Sequence, residues 1–143
     1  FHLINDNRPV ICIGNGTGLA GLMSLLHART RQNYTQNWLI FGERQREHDF
    51  FYQSTIEAWQ TTGMLQRLDL AFSRDQEEKV YVHHKLREQA QELKAWIDNG
   101  AVIYVCGSIN GMASDVDQAL IDILGEATVD QLRQQGRYRR DVY

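Results

Sequence analysis

The sequence predicts an α/β fold, a doubly wound parallel sheet with helices on both faces that forms a three-layer sandwich. Three observations carry this prediction. Strand-like and helix-like segments alternate four times along the chain. The strand-like segments are short apolar runs without polar alternation, which is typical of strands buried on both faces of a parallel sheet. The length of 143 residues suits one domain, which would bury about two thirds of its unfolded surface.

Four strands are predicted from apolar and β-branched runs that are bounded by turn residues. Pro9 comes directly before the first run, and Gly42 comes directly after the second. The predicted strands are Val10–Ile13, Trp38–Phe41, Leu68–Phe72 and Ala101–Cys106.

Helices are predicted where apolar residues recur at a spacing of three or four between or after the strands. The last of them is short and is followed by the polar tail GRYRRDVY, which taken alone is typical of a frayed terminus. The predicted helices reach from the glycine-rich loop to about Arg31, from about Asp49 to Thr62, along a stripe from Leu86 to Ile97 that ends at Asn99-Gly100, along a stripe from Met112 to Ile123 that ends near Gly125, and around Val129–Gln135.

Composition and charge exclude several classes of protein. The net charge of −3 and the pI near 5.9 do not favour nucleic-acid binding, which needs clustered basic surface. No apolar run approaches the ~20 residues of a membrane span, and no signal-peptide pattern opens the chain. Cys12 and Cys106 lack metal-ligand spacing, and free thiols fit a reducing, cytoplasmic-side setting. The histidines show no metal-ligand spacing either, so no metal is expected.

The unusual residues of the sequence follow the predicted strands. Ligands of open parallel sheets bind beyond the carboxyl ends of the strands, so these residues are expected to share one edge and form one site. The four clusters are Gly14–Gly18, Gly42–Arg46, Ser73–Tyr81 and Cys106–Met112.

The glycine-rich loop ICIGNGTGLAGL covers the first strand and the turn after it. Gly16, Gly18 and Gly21 fit the G-x-G-x-x-G spacing of a dinucleotide-binding loop, and Gly14 is an additional glycine. Several glycines allow backbone amides to turn tightly towards a phosphate at a helix N-terminus. The alternative is a tight strand-to-helix turn that binds nothing.

Two further polar clusters bear on the choice of coenzyme. Glu43 could serve as the acid that a Rossmann-type site directs at the adenine ribose, but Arg44 and Arg46 suit a 2′-phosphate better. After the third strand, the segment SRDQEEKVYV offers a hydroxyl, a guanidinium, an ammonium and a phenol. Such groups suit a phosphate monoester with an aromatic base stacked beside it. A solvated polar loop is the alternative.

Five stretches of the chain together resemble the NADP(H)-binding domain of ferredoxin–NADP reductase-type flavoenzymes. They are GNGTGLAG, FGERQREHDFFY, SRDQEEKVYVHHKL, YVCGSINGMASDV and RYRRDVY, and they cover essentially the whole chain in that family's order. The likeness is to the diflavin branch, which includes sulfite reductase flavoprotein subunits and cytochrome P-450 reductases. Parts of it look most like bacterial, membrane-anchored PepSY-containing reductases. The loop is then similar to the family's G-x-G-T-G-I/L-A-P, with Gly14, Gly16 and Gly18, and the G-x-G-x-x-G match is partly accidental.

The resemblance implies a set of coenzyme contacts and a preference for NADPH over NADH. The glycine turn would hold the pyrophosphate, and the segment after the third strand would hold the 2′-phosphate and stack on the adenine. The implied residues are Gly16, Thr17, Gly18 and Arg44 at the pyrophosphate, Ser73, Arg74 and Lys79 at the 2′-phosphate, Tyr81 at the adenine, and Gly107 and Met112 elsewhere in the coenzyme site.

The resemblance also implies three catalytic residues. Cys106 matches the thiol beside the nicotinamide C4, although a lone cysteine at a strand end is by itself more typical of the core. Asp141 matches an acid that stabilises charge on the nicotinamide. Tyr143 matches a terminal aromatic residue that stacks on the flavin and moves aside for the coenzyme.

The chain departs from the family pattern at four positions. Glu43 stands where a cysteine is frequent, and Gly21 replaces the proline of the loop, which loosens the start of the helix. Ser108 stands where an aspartate often follows CG, and His83 where a glutamine often follows VYV. In the family, the positions of Ser108 and His83 belong to the nicotinamide carboxamide contacts and the finer adenine contacts, respectively.

The family implies a reductase that passes hydride from NADPH to FAD and electrons onward to a haem, iron or flavin acceptor. Residues 1–143 would be its NADP(H)-binding domain, in which residues 1–9 belong to the connection to an FAD-binding barrel and residues 136–143 form a tail that covers the flavin. FMN on a flavodoxin-like domain is a further expectation. The location would be the cytoplasm, or the cytoplasmic face of the inner membrane if the parent is anchored.

Two other functions stay open at this point. One is an NAD-dependent dehydrogenase or a nucleotide-binding regulatory module that uses Glu43, and it predicts a preference for NADH. The other is a docking domain that kept the fold and binds no nucleotide.

Overall fold

A computed structural model describes residues 6–43, 53–72 and 81–142. Its centre is a five-stranded sheet of order β3-β2-β1-β4-β5, in which every neighbouring pair is parallel. The fold class predicted from the sequence is confirmed, and each of the four predicted strands is present. The strands are β1 (Val10–Asn15), β2 (Asn37–Glu43), β3 (Arg67–Phe72), β4 (Val102–Gly107) and β5 (Tyr138–Val142).

The helices cover both faces of this sheet. The helices α1 and α2 pack on one face, whereas α3 to α6 lie on the other. None of the helices in the described ranges is both long and apolar enough to cross a bilayer. The helices are α1 (Leu19–Arg31), α2 (Gln53–Thr61), α3 (Val82–Glu88), α4 (Ala90–Asp98), α5 (Ser114–Leu124) and α6 (Glu126–Gln134).

The central strands are buried on both faces, as the absence of polar alternation predicts. The side chains of β1 alternate between two apolar clusters: Ile11 and Ile13 face α3 to α6, and Val10 and Cys12 face α1 and α2. Each such large apolar side chain contributes about 1.5–3 kcal/mol when it leaves water. Burial on both faces therefore fixes the sheet, and the sheet in turn fixes the loops at its carboxyl edge.

Three predicted helices differ in detail from those observed. The single helix predicted through Leu86 and Ile97 is two helices, α3 and α4, which are separated at Gln89. The helix predicted from Met112 begins as one π-helical turn, Ile109–Ala113, before α5. The predicted cap Asp49 lies outside the described residues, and α2 begins at Gln53.

The polar tail is ordered over Tyr138–Val142, although its sequence taken alone is typical of a frayed terminus. These residues form the edge strand β5, in register with Ile103 to Gly107 of β4. Tyr138 is buried and donates a hydrogen bond from its hydroxyl to Asp117 Oδ1 at 2.8 Å. Arg137 donates to the carbonyl oxygens of Ile97 and Ala101, at 2.6 and 3.1 Å. The strand is thus held by contacts far away in the sequence, which no local pattern of YRRDV reveals.

Candidate functional site

The strand order places a topological switch point between β1 and β4. From β1 the chain continues outward to β2 and β3, and it then crosses back to β4 and β5 on the other side. The connections that follow β1 and β4 therefore leave the sheet in opposite directions, which opens a crevice at the carboxyl edge. The glycine-rich turn lies on one side of this crevice, and Cys106 to Met112 follow β4 on the other.

The glycine turn packs directly against the end of β4. A Cβ atom added to Gly14 or Gly18 would lie under 3.0 Å from the carbonyl oxygen of Cys106. Gly18 has ordinary helical angles, φ −64° and ψ −18°, so it is there for space and not for conformation. Both glycines are needed because two backbone segments meet here without room for a side chain.

Gly16 has a different role from its neighbours. It has φ +51°, in the left-handed region that favours glycine, and a Cβ atom there would meet nothing within 4 Å. Gly16 is also exposed. The turn Gly16–Gly18 therefore presents open backbone to the crevice, directly before the first turn of α1. Backbone N–H groups at such a place are suited to an anionic ligand.

Gly21 lies over the thiol of Cys106. A Cβ atom at Gly21 would be 3.0 Å from Cys106 Sγ, and α1 is continuous through this position. Glycine stands here in place of the family's proline, and α1 is nevertheless regular from Leu19 onward. All three glycines that touch β4 (Gly14, Gly18 and Gly21) contact the same residue, Cys106.

Cys106 and Asp141 are direct neighbours in the sheet. They form a register pair between β4 and β5, and in a parallel pair such residues lie on the same face. Cys106 is 3% exposed. Burial raises the pKa of its thiol above the ordinary value of 9.0, and the Asp141 carboxylate raises it further. Cys106 is therefore a neutral thiol at pH 7 and not an activated nucleophile.

This environment predicts how Cys106 reacts with an alkylating reagent. We expect slow alkylation by iodoacetamide in the native chain and faster alkylation in Asp141→Asn, because removal of the carboxylate lowers the pKa of the thiol and increases the thiolate fraction. The rate is measured from pH 7 to 9 by mass spectrometry of the Cys106 peptide. Cys12 is the internal control, since it is fully buried and burial raises its pKa to about 12. Asp130→Asn, which makes the same change of charge at an exposed position, is the control variant. If Cys106 is alkylated at the wild-type rate in Asp141→Asn, the expected effect of the Asp141 carboxylate on the thiol is contradicted.

The segment after Cys106 is held by a residue that the sequence analysis missed. Gly107 has φ +140° and lies against Asn15, the last residue of β1. Ser108 donates its backbone N–H to Asn15 Oδ1 at 3.2 Å. Met112 is buried, with its Cε 3.0 Å from where a Cβ of Gly107 would lie. Gly107 and Met112 therefore contribute close packing on the β4 side of the crevice.

Tyr81 provides an aromatic surface beyond the end of β3. It is 44% exposed, which is unusual for a large apolar side chain, and it comes directly before α3. Its backbone N–H donates to His84 Nδ1 at 2.9 Å, and its ring stacks on that of His83 with centroids 6.0 Å apart. Burial lowers the pKa of His83, as does His84, while Asp115 opposes this shift. The Tyr81 ring is thus kept at the surface and supported from one side.

Several predicted site residues lie outside the described residues, and their assignments stay predictions. They are Arg44, Arg46, Ser73, Arg74, Lys79 and Tyr143; of Thr17 and Glu43 the backbone alone is described.

Comparison with known proteins identifies the family. A family model, the oxidoreductase NAD-binding domain, matches residues 12–118. The sulfite reductase (NADPH) flavoprotein alpha-component of Enterobacter sp. strain 638 is 46% identical over an alignment of 150 positions, which covers 97% of this chain and 25% of that protein. The proteins of the same name from Neisseria meningitidis FAM18 and Vibrio cholerae N16961 are 44% identical over 155 residues and 45% identical over 150 residues. The alignment with the Neisseria protein covers 100% of this chain and 26% of that protein. The alignment with the Vibrio protein covers 97% of this chain and 24% of that protein.

The chain therefore spans about a quarter of the length of these relatives. The match to the family model covers β1 from Cys12 onward, the glycine turn and the whole of β4 with Cys106. This chain belongs to the oxidoreductase NAD-binding domain family.

Proposed function

We propose that this chain is the NADP(H)-binding domain of a flavoprotein oxidoreductase that passes hydride from NADPH to FAD. The observation that supports the proposal most is the junction of the glycine turn with Cys106 and Asp141 at the switch point. An exposed glycine backbone suits a pyrophosphate, and it lies beside a neutral thiol with a carboxylate next to it.

The residues of the crevice fit such a coenzyme. Gly16 is exposed and has open space where a Cβ atom would lie, so its backbone is accessible to a ligand. The ring of Tyr81 is exposed and would stack on the adenine. Arg44 would contact the pyrophosphate, and Ser73, Arg74 and Lys79 would hold the 2′-phosphate with charge-assisted hydrogen bonds.

The reacting end of the site is at Cys106. When bound, the coenzyme would supply a hydride to an FAD on another domain, from which electrons would pass onward. Cys106 would lie beside the nicotinamide ring as a neutral thiol and add no charge there. The Asp141 carboxylate would favour the oxidised coenzyme, whose nicotinamide carries a positive charge. Tyr143 would cover the flavin until the coenzyme enters.

The parent enzyme is proposed from the named relatives. Those relatives are NADPH-dependent sulfite reductase flavoproteins and are about four times as long as this chain. We propose that an FAD-binding domain, and a flavodoxin-like domain with FMN, belong to the same polypeptide, and that a haem protein, iron or flavin is the final acceptor. A cytoplasmic enzyme, or one on the cytoplasmic face of the membrane, fits this role.

The preference for NADP⁺ is the direct test. By calorimetry we expect saturable binding of NADP⁺ and much weaker binding of NAD⁺. The variant Arg74→Ala should lose about 1.5–3 kcal/mol of binding free energy for NADP⁺, the usual range for a hydrogen bond to a charged group. That corresponds to an affinity loss of about 10- to 100-fold.

The control is Arg31→Ala, which makes the same change of charge at the last residue of α1, at the opposite edge of the sheet. It should bind NADP⁺ like the wild type. A preference for NAD⁺ that Arg74→Ala leaves unchanged would instead favour the regulatory module or dehydrogenase that uses Glu43. Melting temperatures that do not change with NADP⁺ would favour a docking domain.

A further inference from the structure

The backbone ladder between β1 and β4 ends before the crevice does. Its last register pair is Gly14 with Cys106. One residue further on, β1 still pairs with β2 through Asn15 and Gly42, and β4 still pairs with β5 through Gly107 and Val142. The register of β1 with β4 therefore has a gap at the next position, where Asn15 and Gly107 remain in close contact without forming a register pair.

The side chain of Asn15 bridges the gap at this position. Its Oδ1 accepts the backbone N–H of Ser108 at 3.2 Å, across 93 residues of sequence. The backbone of Asn15 is extended, with φ −147° and ψ 159°, so it carries no strain. The carboxamide oxygen thus takes the place of the carbonyl that a continued ladder would provide.

Gly107 allows the carboxamide to lie this close. A Cβ atom there would be under 3.0 Å from Asn15 Oδ1 and 3.0 Å from the Asn15 carbonyl oxygen. The close contact therefore needs both the amide side chain of Asn15 on β1 and a glycine at position 107 on β4. A side chain without an acceptor at position 15 would leave the Ser108 N–H, which is partly buried, without this partner.

We propose that Asn15 is a positioning residue, which holds Gly107 and Ser108 against the glycine turn and so fixes the Cys106 thiol relative to the reactive end of the coenzyme. The reference to the coenzyme rests on the proposed function. On the proposed function, the adenosine end would contact Tyr81 and not Ser108 or Cys106. The proposal therefore predicts that a change at Asn15 acts on binding of the nicotinamide half alone.

The first arm of the test needs no coenzyme. Asn15→Leu keeps the size of the side chain and removes the acceptor, whereas Asn15→Asp keeps both the size and an acceptor oxygen. We expect amide hydrogen exchange of Ser108 to become about tenfold faster in Asn15→Leu, the factor for one net hydrogen bond, and to stay slow in Asn15→Asp. Alkylation of Cys106 should also become faster in Asn15→Leu. Exchange at Ser108 that is the same in wild type and Asn15→Leu overturns the proposal.

The second arm compares two ligands by calorimetry, NADP⁺ and 2′,5′-ADP, which lacks the nicotinamide half. We expect Asn15→Leu to weaken NADP⁺ binding about fivefold or more, a cost of ~1 kcal/mol, and to leave the affinity for 2′,5′-ADP within twofold. Equal losses for both ligands, or no loss for either, would overturn the positioning role. A wild type that binds neither ligand would refute the proposed function, and the first arm would then decide by itself whether Asn15 fixes Ser108 and Cys106.

Discussion

Replacement of Gly18 by alanine is expected to lower the free energy of unfolding by about 1–3 kcal/mol, the usual cost of extra atoms in a closely packed place, and to weaken nucleotide binding with it. The added Cβ would lie under 3.0 Å from three backbone atoms, Cys106 C and O and Gly107 N. Backbone cannot move aside as a flexible side chain can, so the glycine turn or the end of β4 must shift. Urea denaturation and calorimetry with NADP⁺ measure the two effects.

The matched control is Gly21→Ala, three residues further along the chain and inside α1. Its Cβ would meet only the Cys106 thiol, at 3.0 Å. Alanine is about 1 kcal/mol better than glycine inside a helix, which offsets the tight contact. We therefore expect stability within about 1 kcal/mol of the wild type and retained NADP⁺ binding. A Gly18→Ala variant as stable as Gly21→Ala, with wild-type affinity, would show that the turn does not rest on β4.

The comparison of these two glycines shows what the sequence could and could not reveal. Spacing alone left the choice between two overlapping glycine patterns, and it could not say what each glycine does. The structure separates the roles, because Gly14 and Gly18 give space to backbone, Gly21 gives space to a thiol, and Gly16 supplies a positive φ. Only the packing of the turn and of α1 on β4 reveals that all three close contacts involve Cys106.

The features that the sequence analysis missed share one physical cause. The apolar strands could be predicted because burial on both faces leaves a local signal of uninterrupted hydrophobic residues. The strand β5 and the Asn15–Ser108 hydrogen bond leave no such signal, because each depends on a partner far away in the chain. The family resemblance indicated Asp141 but not Asn15. A resemblance assigns known roles to single residues, and it does not predict which residues of this chain contact one another.

Arg29 is the second position where a large effect is expected, at the edge of the sheet opposite the crevice. It is fully buried in the last turn of α1. Its Nε donates to Asn37 Oδ1 at 2.6 Å, and its terminal nitrogens donate to the carbonyl oxygens of Arg8 and Asp6, at 2.8 and 3.3 Å. Burial lowers the pKa of Arg29, but the guanidinium stays charged at neutral pH.

The same network ties together the beginning of β2 and the connection before β3. Asn37 is itself fully buried, and its Nδ2 donates to the carbonyl oxygens of Tyr34 and Met64, at 2.8 and 2.7 Å. Asn37 Oδ1 accepts from Arg29, so removal of the guanidinium leaves this buried oxygen without that donor. Arg29 therefore joins α1, β2 and the segment that precedes β1.

Arg29→Met is expected to lower the free energy of unfolding by about 2–4 kcal/mol, because each buried acceptor left without a donor costs about 1–3 kcal/mol. The melting temperature should fall by roughly 10 °C, and amide exchange from Arg8 to Val10 should become faster. Arg31→Ala, an exposed change two residues further on, should stay within about 0.5 kcal/mol of the wild type.

The affinity for NADP⁺ separates the two large effects. Well below the melting temperature, Arg29→Met should bind NADP⁺ within twofold of the wild type, because Arg29 lies at the amino ends of the strands and the crevice lies at their carboxyl ends. Gly18→Ala should lose affinity at the same temperature. Equal losses of affinity in both variants would mean that general destabilisation, and not the junction of the glycine turn with β4, controls nucleotide binding. In that case, the Arg29 network at the amino ends of the strands and the glycine turn at their carboxyl ends would not have separate effects on stability and on binding.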